Sequence, residues 1–411
     1  MEAIARKLKY SYMILLALTI LATVALFAGA AIPAQAQTET LMYQFQGAPD
    51  GANPKAGLVL KGKTLYGTAW EGGAYGSGDT GFGTVFKLTT AGKETVLYSF
   101  GGSGKNDAAQ PMGGVAVDTA GNIYGTSFNG GVNYNAGTVW MITKKGQESI
   151  VHTFLGTNDD GIYPYYVTPV LDKAGNLYGT TAYGGHYGNG VVFKLTPGGA
   201  YTTLHSFNGA AGDGYNPVCG VSLDAKGNIY GVAAAGGTYG YGVLFEITAG
   251  GAYSVLYNFA GGSDGIMPYS PPVFKGGSIY GTTETGGVYN YGTVYKFTPA
   301  KGKKPAKETI LHSFAGQPEG DEVWGGTLVF DKQGNIYGTT LGGGTFNMGT
   351  IYKLTPNGTM TVLYSFDDQP DGSSPYGGVV LDTVGNLYTT AAFGGNISGE
   401  YGGGTVIKIT P

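Results

Sequence analysis

The segment Asp172-Lys-Ala-Gly-Asn-Leu-Tyr-Gly-Thr-Thr181 contains the pattern that decides the fold. Its aspartate stands three residues before a glycine, which is typical of a tight turn. Aspartate accepts hydrogen bonds from its own turn backbone, and glycine adopts positive φ without steric cost. The second half, Leu-Tyr-Gly-Thr-Thr, is a short run of β-forming residues. The segment therefore predicts a hairpin connection that leads into a strand of an antiparallel sheet.

The same pattern recurs seven times along the chain. Its tyrosines lie 50 to 58 residues apart, and a Gly-Gly pair follows each one after six and seven positions. Every unit also carries an apolar run that ends in aspartate or lies in that place, a Val-Phe-Lys-Leu-like run and a Leu-Tyr-Ser-Phe-like run. Four strands in about 50 residues are typical of one blade of a β-propeller. The repeated tyrosines are Tyr66, Tyr124, Tyr178, Tyr230, Tyr280, Tyr337 and Tyr388.

The two ends of the chain predict how the ring closes. We name the aspartate-ended run strand A, the Tyr-Gly-Thr run strand B, and the two remaining runs strands C and D. Residues 41–45 are a lone D strand, and the last unit stops after its C strand. The predicted fold is therefore all-β: a seven-bladed β-propeller of four-stranded antiparallel blades, closed by an N-terminal D strand that pairs with the C-terminal A, B and C strands. We expect the glycine within strand B to pack against the neighbouring blade.

The composition excludes several classes of protein. Glycine accounts for 77 of the 411 residues, and only 12% are charged, against about 25% in an average soluble protein. Cys219 is the only cysteine, which excludes intrachain disulfides and multi-cysteine zinc sites. Arg6 is the only arginine, so the rest of the chain lacks the side chain that grips phosphates bidentately. Nucleic acid is therefore excluded as an expected partner.

The N-terminus resembles a signal peptide. Arg6, Lys7 and Lys9 precede an apolar run over about 13–32, and Ala34-Gln35-Ala36 provides a small-x-small cleavage site. We expect a signal peptide over residues 1–36 and a single propeller domain over 37–411, secreted, periplasmic or on the cell surface. The alternative is an uncleaved anchor, because about 20 apolar residues can span a bilayer. No other membrane contact is expected. The mature chain, with a net charge of −6 after three of 23 basic and one of 27 acidic residues are removed, is expected to be a monomer.

The repeat unit as a whole resembles a known family. The succession Asp-Gly-x-x-Pro, Asp-x-x-Gly-Asn-Leu-Tyr-Gly-Thr-Thr, Gly-Gly, Gly-Thr-Val-Phe-Lys-Leu-Thr-Pro and Leu-Tyr-Ser-Phe is similar to the GloVer tandem repeats of secreted bacterial proteins. The resemblance covers about residues 40–411 and is closest in 168–197 and 371–390. The Asp-x-x-Gly-Asn-Ile/Leu-Tyr piece is also similar to strands of NHL-type propellers. The resemblance implies an exported β-propeller, and it implies little about mechanism.

One candidate site is a ring of acids. In a propeller the D-to-A and B-to-C connections emerge on the same face, and six D-to-A loops place an aspartate four residues before a proline. Such carboxylates suit calcium, the one cofactor that this pattern suggests. The alternative is that Asp-Gly forms the turn and proline directs the chain into strand A. The candidate metal ligands are Asp50, Asp160, Asp213, Asp264 and Asp371.

A second candidate site is aromatic. Five units carry an aromatic residue two positions after the glycine pair, and ring faces suit the C–H faces of sugars. These residues are Tyr75, Tyr187, Tyr239, Tyr289 and Phe346. Sites also tend to lie where repeats differ from one another. The residues selected by that criterion are Trp70, His186, Glu319, Asp321, Glu322 and Trp324.

No complete catalytic set is recognisable in the sequence. His152, His205 and His312 replace the tyrosine of strand D, and we expect them to pack. A nucleophile elbow is absent. We therefore predict a non-catalytic binding propeller with polysaccharide as its ligand. The alternatives are a carbohydrate-active hydrolase or lyase that uses two channel carboxylates, and a structural envelope module that binds a surface protein. A cavity that unites Glu319, Asp321 and Trp324 with another acid would favour the enzyme.

Overall fold

The computed structural model describes residues 38–75, 81–101, 107–132, 136–157, 159–210, 212–395 and 403–410. Residues Glu39–Thr410 form one compact unit. Throughout these ranges the regular structure is β-strand, and no helix in them is long and apolar enough to cross a membrane. The predicted leader, residues 1–36, lies outside the described residues.

Seven four-stranded sheets follow one another along the chain, each with its strands in the order A-B-C-D. The seven-bladed β-propeller predicted above is confirmed. The strands, in the order A, B, C, D, are Val59–Lys61, Thr64–Ala69, Thr84–Thr89 and Glu94–Ser99 in blade 1; Ala116–Val117, Ile123–Ser127, Thr138–Ile142 and Glu148–Thr153 in blade 2; Val170–Leu171, Leu177–Thr181, Val191–Leu195 and Tyr201–Ser206 in blade 3; Ser222–Leu223, Ile229–Ala233, Val243–Ile247 and Tyr253–Asn258 in blade 4; Val273–Lys275, Ser278–Thr283, Thr293–Thr298 and Lys307–Ser313 in blade 5; Val329–Phe330, Ile336–Thr340, Thr350–Leu354 and Met360–Ser365 in blade 6; and Val380–Leu381, Leu387–Ala391, Thr405–Thr410 and Thr38–Gln44 in blade 7.

The ring is closed as the sequence predicts. The N-terminal strand Thr38–Gln44 pairs with the C-terminal strand Thr405–Thr410 in the sheet of blade 7. Just beyond it, the Phe45 backbone N–H donates to the Gly404 carbonyl at 3.0 Å. Because the first and last strands share one sheet, neither end of the ring leaves an open sheet edge.

The hydrophobic core lies between the blades. A phenylalanine directly follows every D strand, is fully buried, and packs against the next blade. Phe45 of blade 7 meets Phe86 in strand C of blade 1 with ring centroids 5.0 Å apart, and Phe100 of blade 1 meets Trp140 of blade 2 at 5.3 Å. Such edge-to-face and tilted contacts add about 0.5–1.5 kcal/mol to the stabilisation from burial. The core is thus a succession of layers between neighbouring blades.

The glycine of strand B makes room for this aromatic layer. Gly67 lies opposite Phe86 across the sheet, and a Cβ atom on Gly67 would be 2.6 Å from the ring. The same holds for Gly179 and Phe193. Our expectation that the glycine packs against the neighbouring blade is therefore wrong. Its partner is strand C of its own blade, because cross-strand neighbours stand closer together than blades do.

Blade 7 shows the reverse combination. Thr389 occupies the glycine position there, and its cross-strand partner is Ile407. The larger side chain on strand B is thus accompanied by a smaller one on strand C. The total volume at this pair of positions is what the fold constrains.

The threonine of the Tyr-Gly-Thr motif joins consecutive blades. The Thr68 hydroxyl donates to the Gly113 carbonyl at 2.9 Å, and Thr126 donates to the Val167 carbonyl at 2.7 Å. The hydroxyl of Thr390 reaches a carbonyl in the loop that leads into blade 1. Together with the Thr180 hydroxyl, which donates to the Cys219 carbonyl at 2.6 Å, these buried hydrogen bonds connect the B strands of blades 1, 2, 3 and 7 to the chain entering the next A strand.

The A-to-B turns have the geometry that the opening segment predicts. The Asp172 carboxylate accepts the backbone N–H of Asn176 at 2.9 Å, its side-chain amide at 2.7 Å and the Tyr178 hydroxyl at 3.0 Å. Gly175 has a φ of 83°. Although burial raises the pKa of Asp172, these hydrogen bonds hold it below its usual value. The motif Asp-x-x-Gly-Asn-x-Tyr therefore encodes one closed hydrogen-bonded turn.

The cross-strand volume rule is testable in blade 6, where Gly338 faces Tyr352. We expect Gly338→Thr to lower the free energy of unfolding by about 1–3 kcal/mol, because a side chain there overlaps the tyrosine ring. Tyr352→Ile alone should also destabilise. The double substitution recreates the pair of blade 7 and should cost less than the sum of the single ones by at least about 1 kcal/mol.

Urea unfolding of the four proteins measures this coupling. The Tyr352 hydroxyl is buried without a hydrogen-bond partner, so its removal exposes no new unsatisfied group in the comparison. Strictly additive effects of the two substitutions would contradict the rule.

Candidate functional site

A cavity of about 460 Å³ opens at the centre of the face that carries the D-to-A and B-to-C loops. The residues that line this cavity come from six of the seven blades and from several different positions of the repeat. The lining residues are Lys55, Trp70, Gln110, Met112, Phe128, Tyr165, Tyr166, Glu284, Glu322, Trp324, Leu341 and Tyr376. We call it the mouth cavity.

The D-to-A loops, which carry several of the lining residues, share one backbone feature. One non-glycine residue in each D-to-A loop has a φ between 53° and 60°. In the loop before blade 2, the N–H of Gln110 donates to the Phe82 carbonyl of the preceding blade at 2.7 Å, and its own carbonyl accepts the N–H of Phe128 at 3.1 Å. This left-handed conformation costs about 1 kcal/mol or more, which the two hydrogen bonds offset. The seven residues are Asn53, Gln110, Tyr163, Asn216, Met267, Glu322 and Ser374.

Stacked aromatic rings form one wall of the mouth cavity. Trp324 stacks on Tyr269 with centroids 4.3 Å apart and an interplanar angle of 24°. Tyr166 lies parallel to Tyr376 at 6.0 Å and meets Trp324 edge-on at 6.0 Å. Rings from the loops entering blades 3, 6 and 7 therefore line the cavity together, and Tyr269 of the loop entering blade 5 supports Trp324 without lining the cavity itself. Tyr166 and Tyr376 also line a deeper cavity of about 230 Å³, so they lie between the two spaces.

A lysine occupies the opposite side. The Lys55 Nζ lies 3.4 Å from the centroid of the Trp70 ring, which is a cation–π contact. Burial lowers the pKa of Lys55, and the nearby Glu71 carboxylate opposes this effect. The basic group of the cavity thus already has an aromatic partner.

Two acids face the cavity from blades 5 and 6. Glu284 directly follows strand B of blade 5 and is half-buried, whereas Glu322 in the next D-to-A loop is exposed. Burial first, and repulsion by Glu322 second, raise the pKa of Glu284 to about 7. In the described part of the chain, neither carboxylate has a hydrogen-bond donor or a basic side chain as its partner. Glu284 is therefore close to half-protonated at neutral pH.

The residues that were selected because the repeats differ fall into two groups: those that line the mouth cavity and those that lie outside it. Trp70, Glu322 and Trp324 line the mouth cavity, whereas Glu319 and Asp321 do not. The Glu319 carboxylate lies 3.0 Å from His312 Nε2 and accepts the Ala315 N–H at 3.0 Å. The backbone of Asp321 pairs with Gly342. His186 is exposed, with its ring 3.8 Å from the Asp159 carboxylate.

The aromatic residues that follow the glycine pairs lie farther out. The residue before each tyrosine in blades 3 and 4 is anchored to the end of strand D: the His186 N–H donates to Ser206 and the Thr238 N–H to Asn258, both at 2.8 Å. Strand D is the outermost strand. The structure therefore places these rings at the outer part of the face, each between 55% and 58% exposed, and does not bring them together with the mouth cavity. They are Tyr75, Tyr187, Tyr239, Tyr289 and Phe346.

The repeated loop acids act as clips within their own loops. Asp264 accepts the Tyr257 hydroxyl of strand D at 2.9 Å and the backbone N–H groups of Ala260 and Gly265 at 2.8 Å. Where strand D carries histidine, the ring takes the place of the tyrosine hydroxyl, as in His152 with Asp160 at 3.1 Å. Equivalent contacts hold Asp50, Asp213 and Asp371.

The structure keeps these aspartates apart, one in each loop. Among the described residues, no group of three His, Cys, Asp or Glu side chains is arranged to hold a metal ion. Calcium binding therefore stays a prediction for this face. The three histidines, expected to pack, take part in these clips as hydrogen-bonding groups as well.

A paired replacement at the clips escaped the sequence reasoning. Where strand D carries tyrosine, as at Tyr98, an acid is the first or second residue of the next D strand, as at Glu148, whose pKa burial and then Asp107 raise to about 7. Where strand D carries His205, the next D strand begins with Tyr253, stacked on the imidazole at 3.6 Å. The signal was in the sequence, because the two positions change together in six of the seven blades; the exception is His312, which is followed by Met360.

The cavity residues that sequence reasoning missed also share a signal. The position after the repeated proline, or after its replacement, carries five different residue types in the seven blades. Alignment of the units on that proline brings out Lys55, Met112, Tyr165, Val218, Tyr269, Trp324 and Tyr376, all of which line the cavity except Val218 and Tyr269. Glu284 stands at the other variable position, four residues after the repeated tyrosine.

Comparisons with known proteins agree with the repeat architecture. The sequence model of the Gloeobacter/Verrucomicrobia repeat matches residues 30–222, 77–272 and 217–411. The chain belongs to this family. The resemblance to GloVer repeats is thus confirmed, and it extends over all seven blades. No curated protein matches the chain.

Solved structures share the fold at low identity. A puromycin hydrolase is 12% identical with a TM-score of 0.53, over 86% of this chain and 53% of that one. The periplasmic gluconolactonase PpgL of Pseudomonas aeruginosa is 14% identical with a TM-score of 0.48, over 82% of this chain and 97% of that one. These likenesses concern the propeller architecture, and they carry no argument about the reaction or the ligand of this chain.

The acid pairs at the clips predict a pH dependence of stability. Burial, and then the neighbouring loop aspartates, raise the pKa values of Glu94, Glu148 and Glu308 to about 7. Between the ordinary value near 4.5 and pH 7 the folded state holds more protons than the unfolded state, so stability falls as pH rises. We expect the melting temperature to drop by about 5 °C between pH 5 and pH 8.

Differential scanning calorimetry of a triple variant tests the cause. Substitution of the three glutamates by glutamine should flatten the decrease, because glutamine cannot ionise. Asp159→Asn removes an exposed carboxylate and is the matched control, which should keep the slope of the unmodified protein. A triple variant with an undiminished slope would rule out these pairs as its origin.

Proposed function

We propose that this propeller binds carbohydrate at its mouth cavity, outside the cytoplasm, and that it does so as a monomer. Trp324, Tyr166 and Tyr376 support the proposal most directly, because their rings line a cavity of about 460 Å³. Sugars place apolar C–H faces on such rings, while their hydroxyls bond to surrounding polar groups. The carboxylates of Glu284 and Glu322 and the hydroxyl of Tyr166 would supply those polar groups.

The dimensions favour a short saccharide segment in the cavity. Small-molecule sites usually enclose about 300–1,000 Å³, so the cavity suits a few sugar residues of a longer chain. The remainder of a polysaccharide would cross the outer face, where Tyr187, Tyr239 and Tyr289 are exposed. In this proposal the outer rings add contacts to long chains and contribute little to short ones. The ligand is thus a polysaccharide, or a glycan carried by a surface protein.

Export is part of the proposal and depends on the leader-like residues 1–36. A binding protein with one buried cysteine, Cys219, needs no disulfides and is compatible with an oxidising compartment. The seven inter-blade layers supply the stability that such a protein needs without covalent links.

A glycosidase or lyase is the second candidate. Its support is the acid pair: Glu284, with a pKa near 7, would protonate the leaving oxygen, and the exposed Glu322 would act as the ionised partner. Glu319 and Asp321, the acids named from the sequence, would not take part, because they lie outside the cavity. Turnover of an oligosaccharide that disappears in both Glu284→Gln and Glu322→Gln would establish this function in place of binding alone.

The binding proposal predicts the effect of removing one ring. A glycan array identifies the ligand, and calorimetric titration with a short oligosaccharide of that type gives the dissociation constant. Trp324→Ala should weaken binding about tenfold, because the lost stacking contact is worth about 1.4 kcal/mol. Tyr239→Ala removes an exposed ring outside the cavity and is the matched control, with an expected change below twofold.

Melting temperatures of both variants check that the fold persists. If the unmodified protein binds no glycan on the array, with or without calcium, the proposal is refuted. Equal losses in the two variants would move the binding site from the mouth cavity to the outer face.

A further inference from the structure

We propose that the mouth cavity is specific for a sugar that carries a protonated amino group, with the ammonium held between Glu284, Glu322 and the aromatic wall. The inference rests on the proposed carbohydrate function and names its ligand class, a 2-amino-2-deoxy sugar or an oligomer of it. The decisive feature is the juxtaposition of an unpaired acid pair with open ring faces on one side of a closed cavity.

The acids lack a cation of their own. Glu284 and Glu322 approach the cavity from consecutive blades, and the Glu322 carboxylate raises the cost of ionising Glu284. In the described part of the chain no lysine or histidine pairs with them. Two carboxylates in a partly desolvated space gain most from a single cation placed between them.

The rings beside the acids are also free of a cation. On the blade 1 side of the cavity, the Lys55 ammonium already lies over Trp70. Among the described lysines none lies over Trp324, Tyr269 or Tyr166; the other lysine–ring contacts are to Phe393, Tyr178, Phe330, Tyr280 and Tyr337, none of which lines the cavity. Electron-rich ring faces attract ammonium groups. The cavity is therefore asymmetric, with its own base on one side and a place for a ligand's base on the other.

An organic amine fits this place better than a metal ion. Calcium takes six to eight oxygen ligands, and the described residues offer no third acid beside the pair. Indole and phenol faces do not coordinate calcium, whereas they do contact the ring and the ammonium of an amino sugar. The neutral part of the ligand would pack on the rings of Trp324 and Tyr166, which line the cavity, while the amine reaches the acids.

The acids also set the pH dependence of cation binding. Glu284 must be ionised to hold a cation, and its pKa lies at about 7. The other ionisable groups around it are Glu322, the tyrosines Tyr165, Tyr166, Tyr269 and Tyr376, and Lys55 on the opposite side of the cavity. Burial raises the pKa of each of these tyrosines, and burial and then Glu284 raise that of Tyr269 to about 12. For a cation that does not titrate, affinity should rise about tenfold from pH 6 to pH 8 as Glu284 becomes ionised.

Calorimetric titration of the full chain with three probes tests the inference. The probes are a glucosamine oligomer, an N-acetylglucosamine oligomer of the same length, and tetramethylammonium as a permanent cation. We expect the glucosamine oligomer to bind at least tenfold more tightly than its acetylated counterpart at pH 7. Tetramethylammonium should bind weakly, with the rise in affinity between pH 6 and pH 8.

Four variants assign the effect to its residues. Glu284→Gln and Glu322→Gln should each reduce the preference for the amine, and Glu284→Gln should abolish the pH dependence. Asp159→Asn, which removes an exposed acid on the same face, should behave as the unmodified protein. Lys55→Met should keep the pH dependence, which would show that the lysine does not cause it. Melting temperatures confirm that each variant is folded.

The outcomes separate this inference from the function on which it rests. Equal affinity for the two oligomers would overturn the amine specificity and leave carbohydrate binding intact. Absence of binding to every saccharide would overturn both. Binding of the glucosamine oligomer that survives in Glu284→Gln and Glu322→Gln with its preference unchanged would place the amine elsewhere and overturn the inference.

Discussion

The contact on which the whole structure depends is the aromatic packing between neighbouring blades. The phenylalanine after each D strand reaches the large side chain in strand C of the next blade, as Phe45 reaches Phe86, and the strand B glycine beside it leaves the necessary space. Each blade alone would expose this layer to water. Seven such layers, one of them made by Phe366 against Ile407, therefore require a closed ring, since an open array would leave one layer unformed and both of its faces exposed to water.

Because most positions of the repeat are required for packing or hydrogen bonding, few positions are free to serve function. Strands B, C and D and the clip acids are tied to packing and hydrogen bonds in every blade, so their sequences recur. The residue after the repeated proline, or after its replacement, lies beyond the clip and lines the mouth cavity in five of the seven loops, whereas Val218 packs in a small cluster with Ala182 and Ala234. It varies from Lys55 to Tyr165 to Trp324 among the blades. Binding chemistry can therefore change at the mouth cavity without loss of the fold, as is usual for loops on a rigid scaffold.

Acidic side chains in polar clusters also make the stability of the fold depend on pH. The turn acids such as Asp172 are solvated and hydrogen-bonded, which favours their ionised form. The glutamates beside the clips, such as Glu148, are partly buried next to another carboxylate, which favours the proton. The same two physical causes act in the mouth cavity, where Glu284 combines burial with the nearby Glu322. The glutamates beside the clips and the candidate functional Glu284 thus have raised pKa values for the same two reasons, and they differ mainly in where they lie in the fold.

The amino-acid sequence by itself determined the strand count, the blade length, the A-to-B turns and the closure by Thr38–Gln44, because these follow from local patterns that repeat seven times. It also pointed to Trp70, Glu322 and Trp324, since they depart from the repeat. Only the tertiary structure decided that Glu284 joins them and that Glu319 does not. The reason is geometric: which side chains converge at the axis depends on the left-handed turn in each D-to-A loop and on how the blades are arranged around the channel, and neither distance along the chain nor residue type records that convergence.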